Sequence, residues 1–202
     1  MNWENESTVV LRATFAAAIQ EVAEQDTWCF GGLVAVRAHG GLGLDDDTVD
    51  IITDDMAVLN AVQEVMGVQP RVKSAAGVPN MPVYVYPNNV RVYRLGVANN
   101  TKTVQLDNGR SVPIASPVLT AVCLLNALAL GADECRLYQL YSLLRCRLFT
   151  ENTLRDIIDT FVDTVDVMVL LELVSNLSEC EHTEARYVVL DWVSDYIRAS
   201  VS

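Results

Sequence analysis

At Ser116-Pro117 the apolar pattern of this 202-residue chain changes its period. Upstream, Val83–Tyr86, Val90–Val97, Thr101–Leu106 and Ser111–Ile114 alternate and are rich in β-branched or aromatic residues, as strands are. Pro87-Asn88-Asn89 and Asp107-Asn108-Gly109 lie between them as hairpin turns, the second of type I′ character. Downstream, helical spacing takes over. Ser116 is an N-cap with Pro117 at the first helical position. Helices are expected over Val118–Leu130, Glu134–Phe149, Glu151–Ser175 and Thr183–Ala199. Strands of this kind must cover an apolar face with helices, so the fold class is α+β, in a mixed α/β plan. Residues 1–115 are expected to form an α/β domain and residues 116–202 a helical region packed on it.

The first 70 residues add helices to that plan. Leu11–Glu24 carries Leu11, Phe15, Ala18, Ile19 and Val22 at helical spacing. Trp28-Cys29-Phe30 leads into Gly31-Gly32, and Leu33–His39 reads as a short apolar helix. Val49–Thr53 is a β-branched strand. Asp54-Asp55 caps a helix over Met56–Met66, which Gly67 ends. Gln69–Asn80, with Pro70, Gly77 and Pro79, reads as a loop.

Charge narrows the partners. The formal net charge is −12 and the pI about 4.4. Coulomb repulsion opposes approach to phosphate backbones and anionic membranes, so nucleic acid is disfavoured as a main partner. The longest apolar stretches, near Val118–Leu130 and Val165–Val174, fall short of the ~20 residues of a membrane span. Five cysteines, Cys29, Cys123, Cys135, Cys146 and Cys180, have no CxxC spacing, which suits reduced thiols in an intracellular protein, cytoplasmic or nuclear. Val165–Val174 and Tyr187–Ile197 are aliphatic enough to serve as core helices or as a surface for self-association or a protein partner.

One stretch points to chemistry: Gly31-Gly32-Leu33-Val34-Ala35-Val36-Arg37-Ala38-His39-Gly40, followed by Asp45-Asp46-Asp47-Thr48-Val49-Asp50-Ile51. It resembles the toxin/antitoxin-type nucleotidyltransferases, the AbiEii-like and minimal members of that fold family. These carry Gly-Gly at a helix start, an Ala-rich helix ending near His-Gly, and a strand opening with Asp-x-Asp. Val112-Pro113-Ile114-Ala115-Ser116-Pro117 before an apolar helix is similar to a second junction of that family, and the resemblance covers roughly residues 10–150.

The resemblance implies a small mixed sheet with flanking helices. It implies that Gly31 and Gly32 approach a nucleoside triphosphate, and that carboxylates including Asp50 and Asp47 hold Mg²⁺. Two-metal phosphoryl chemistry needs carboxylates bridging ions roughly 3.5–4 Å apart, and glycine lets backbone amides close on phosphates.

The residues also depart from that pattern. With Asp50 as the second acid of the motif, the first falls on Thr48, and Asp47 lies one residue early, on the opposite face of an extended strand. The third acid is expected within Val90–Leu95, which holds none and places Arg91 at or beside the site. The family's Lys-Asp pair has Asp133-Glu134-Cys135-Arg136-Leu137-Tyr138-Gln139 in its place. The reading is a catalytically degenerate nucleotidyltransferase-fold protein acting as a binding, scaffolding or regulatory module through protein contacts. The alternative is an active Mg-dependent nucleotidyltransferase transferring a nucleoside monophosphate to a protein or small-molecule hydroxyl.

Overall fold

The computed structural model describes residues 6–24, 26–41, 47–73, 82–97, 101–105, 109–129 and 134–145. The helices expected over Glu151–Ser175 and Thr183–Ala199 lie outside the described residues. Within them are five helices and seven strands: α1 (Glu6–Gln20), β1 (Trp28–Phe30), α2 (Gly32–Ala38), β2 (Val49–Thr53), α3 (Met56–Met66), β3 (Arg71–Lys73), β4 (Val83–Val85), β5 (Val90–Arg94), β6 (Thr101–Gln105), β7 (Ser111–Ala115), α4 (Pro117–Ala129) and α5 (Glu134–Arg145).

The strands form one mixed sheet in the order β3-β4-β5-β2-β1-β7-β6. The pairs β3/β4, β4/β5, β1/β2 and β6/β7 are antiparallel, while β2/β5 and β1/β7 are parallel. Side chains alternate across a strand, so each strand divides its residues between two layers. Phe30, Val49, Ile51, Val90, Val92, Val112 and Ile114 face a core built with Phe15, Ala16 and Ile19 of α1 and Val58, Leu59 and Val62 of α3. Their neighbours Cys29, Ile52, Tyr93 and Ala115 face the other core, with Ala35 of α2 and Leu119, Cys123 and Ala127 of α4. Helices thus cover both faces, and β2 is buried at all five positions.

Local chemistry explains most boundaries. Asp55 accepts a hydrogen bond from the Ala57 amide (2.8 Å), and Gly67 closes α3 in the left-handed region at φ 65°. Ser116 Oγ accepts from the Leu119 amide at 3.2 Å and caps α4. Asn88 and Asn89 turn the β4–β5 hairpin with φ of 57° and 56°, values asparagine tolerates better than most residues.

Two expectations need correction, and one strand is new. α1 ends at Gln20 rather than Glu24, where the Val22 amide makes a tighter i→i−3 bond to the Ile19 carbonyl, shared with the Ala23 amide; Val22 is 52% exposed and off the buried stripe. Trp28-Cys29-Phe30 is a strand in its own right, fully buried between β2 and β7. Arg71–Lys73, expected to be loop, pairs with β4 as an edge strand.

Candidate functional site

Asp50 sits at the second position of β2, on the face of Ile52 and toward α2, α4 and α5. It is 4% exposed. A bare carboxylate there would be very unfavourable, and the fold supplies a partner from 86 residues away: Arg136 of α5, itself 1% exposed. Arg136 Nη2 donates to Asp50 Oδ1 at 3.1 Å and Nη1 donates to Asp50 Oδ2. The pair is bidentate, the fork-to-carboxylate geometry that arginine favours. Arg136 Nη1 also reaches Gln139 Oε1, one helical turn on, at 3.5 Å.

The glycine pair closes over this ion pair. The Gly31 amide donates to the Asp50 carbonyl at 2.9 Å. Gly32 opens α2 at φ 56°, and a Cβ there would collide with Asp50 Oδ2 and lie 3.0 Å from Arg136 Nη1. Glycine is required at position 32 on two counts, left-handed backbone and lack of space. Gly31 and Gly32 are thus brought against Asp50.

The remaining candidates fall around this pair. Asp47 is exposed, before the start of β2. Thr48 is buried, and its carbonyl accepts from Arg12 Nη2 of α1 at 3.3 Å. Arg91 is the β5 residue in register with Asp50, on the same face of the parallel pair. Tyr93, next along that face, is wholly buried. Burial pushes its phenol well above the usual range, and the Asp50 carboxylate adds to the rise. Among the described residues no three His, Cys, Asp or Glu side chains are grouped to hold a metal ion. His39 ends α2, where its Nε2 lies 2.8 Å from the Ala115 carbonyl and ties the helix to β7.

Sequence reasoning found Asp50 and the glycines but gave Arg136 and Gln139 no role. The available signal was a cation and an amide three apart in a helix otherwise carrying Leu137, Leu140, Leu143 and Leu144. The helix also carries Glu134, Ser142 and Arg145, so its sequence does not tell which arginine is buried or against what.

No protein-family model matches the chain, and no curated protein does. Among solved structures it is similar to MenT4, a nucleotidyltransferase toxin from Mycobacterium tuberculosis H37Rv, at 13% identity, covering 94% of this chain and 92% of that one with a TM-score of 0.44. It is similar also to a candidate nucleotidyltransferase from H. pylori, at 12% identity, 97% of each chain covered and a TM-score of 0.43. A third is JHP933 from Helicobacter pylori, at 13% identity, 97% and 94% covered and a TM-score of 0.39. The first two carry in their names the nucleotidyltransferase kind that the sequence motifs resemble. At these identities and scores they carry no inference to activity, which rests on the residues of the site.

Proposed function

We propose that this chain is a nucleotidyltransferase-type fold in which the motif carboxylate has become a structural counter-charge, and that it works as a binding, scaffolding or regulatory module through protein–protein contacts. The observation that carries this reading is the buried Asp50–Arg136 pair. Both oxygens of Asp50 are engaged by a guanidinium, and Arg91 stands at the in-register position on β5. A cation needs those lone pairs and is repelled by nearby positive charge. As arranged, these residues do not fit Mg²⁺. The sequence supplies the contact surface for this reading: the aliphatic segments Val165–Val174 and Tyr187–Ile197, which lie outside the described residues.

The alternative reading, an active enzyme using Mg²⁺ and a nucleoside triphosphate, draws support from one feature: Gly31 and Gly32 abut Asp50 as the motif requires. It needs Arg136 to withdraw from Asp50, with Asp47 joining as a second acid.

Thermal unfolding with ATP, GTP, CTP and UTP, each with and without Mg²⁺, separates the two. A ligand at a hundred times its Kd adds about 2.7 kcal/mol of stability. The binding reading expects no Mg²⁺-dependent shift with any nucleotide. A Mg²⁺-dependent shift that disappears in Asp50→Asn would overturn it.

A further inference from the structure

Among the described residues β3 is the outermost strand on one side of the sheet, so its outward-pointing backbone groups, those of Val72, face no described strand. All three of its residues are exposed, Val72 to 60%. The register fixes what stands beside them. Arg71 pairs with Val85, Val85 with Arg91, and Arg91 with Asp50. Lys73 pairs with Val83, and Val83 with Tyr93. Paired residues share a face, so Arg71, Lys73 and Arg91 lie on one face of the sheet and Val72 on the other. In a chain of net charge −12 this is a local reversal of sign. Neither Arg71 nor Lys73 makes an ion pair among the described residues.

The same arrangement discriminates between occupants. A second copy pairing antiparallel through β3 and centred on Val72 would set Arg71 opposite Lys73, twice over. A parallel copy cannot pair in register through this same edge, since equivalent residues would both point toward or both away from the seam. Like charges directly opposite one another destabilise a strand pair, so the edge resists self-pairing. A strand with acids at two positions i and i+2 meets the opposite condition, with each acid facing one cation and the residue between them covering Val72. Arg91 stands on β5, three strand spacings or roughly 14 Å from that acidic row and beyond a Debye length at moderate salt, so Arg71 and Lys73 are the cations that meet it.

We propose that the β3 edge receives an extended acidic peptide as an added strand, carrying Asp or Glu at alternate positions around an apolar residue. Main-chain hydrogen bonds supply the strand geometry, and Arg71 and Lys73 set the charge and the register. The proposal rests on the binding reading above and gives it a partner chemistry and a second surface.

The test uses the full chain and short fluorescent peptides: alternating Glu and Val, alternating Lys and Val, and the acidic peptide with proline in place of every second Val. The acidic peptide should bind, more weakly as salt rises, with amide shift changes centred on residues 71–73. The proline peptide, which cannot complete the ladder, should bind at least roughly tenfold more weakly. Arg71→Glu with Lys73→Glu should exchange the preference for the Lys–Val peptide. Arg71→Gln with Lys73→Gln should lose both, with an unchanged melting temperature because both residues are exposed. Equal binding of the acidic and proline peptides, no binding of the acidic peptide at low salt, or unaltered binding by the charge-reversed chain would each overturn the proposal. Failure here leaves the nucleotide experiment unaffected. A Mg²⁺-dependent nucleotide shift beside intact peptide binding would overturn the non-catalytic reading and leave this surface standing.

Discussion

Asp50 and Arg136 are each almost fully buried, so neither can be removed alone without stranding the other. Asp50→Ala should destabilise the chain by about 3–5 kcal/mol in chemical denaturation, because a buried guanidinium loses its counter-charge. Replacing both residues, Asp50→Leu with Arg136→Met, should cost far less than the sum of the single changes. A double-mutant cycle reads that difference directly. Additive losses would mean the pair is not the unit of stability. Gly32→Ala combines two penalties. Left-handed backbone costs a residue with a Cβ about 1–2 kcal/mol, and the methyl group would press on the Asp50 carboxylate. It should therefore destabilise more than Gly67→Ala, where the φ is also positive but the space is open. At this scale the sequence marked Asp50, Gly31 and Gly32 through their spacing. It could not mark the partner of Asp50, because 86 residues separate the two and no local pattern links them.

The elements that were legible carry their own boundary chemistry. β2 and α3 fall where the β-branched run, the aspartate cap and the closing glycine put them. Asp55→Ala removes the acceptor of the Ala57 amide and should cost about 0.5–2 kcal/mol, measured by urea denaturation. A change below a few tenths would mean that water replaces the cap. β1 and β3 were hidden for different reasons. β1 is three apolar residues, too short for a period, and becomes a strand because β2 and β7 supply ladders on both sides. β3 has no apolar signal, being Arg-Val-Lys and wholly exposed; the open edge of β4 makes it a strand. Strand pairing beyond the hairpins is a long-range property, and short strands take their identity from it.

Across the molecule, the core on one face of the sheet separates Cys29 and Cys123 from solvent, while Cys135 is partly exposed. Cys29 of β1 and Cys123 of α4 are buried together in the layer between the sheet and α2 and α4. Burial pushes both thiols well above their usual range, and for Cys123 the neighbouring Cys29 adds to the rise. Below the ordinary thiol pKa of roughly 8.5, folded and unfolded chains both keep these protons, and the stabilisation is fully present. Above it the unfolded chain releases them while the folded chain holds them. Stability should then fall with rising pH, by about 1.4 kcal/mol per pH unit for each such thiol. Denaturant midpoints from pH 7 to pH 10 check the slope. Mass spectrometry after thiol labelling at pH 8 should find Cys29 and Cys123 unmodified until the chain unfolds. Among the described residues no helix is long and apolar enough to cross a membrane. By itself the sequence determined the mixed α/β class, the Ser116-Pro117 transition to helices, the β4–β5 turn and the glycine–aspartate motif, because periodicity, caps and turn residues act over a few positions. Tertiary structure alone decided that β1 lies mid-sheet between β2 and β7, and that a cationic edge closes one side. It alone decided that Arg136 occupies Asp50, since only packing α5 against α2 brings that charge into a site where water no longer screens it.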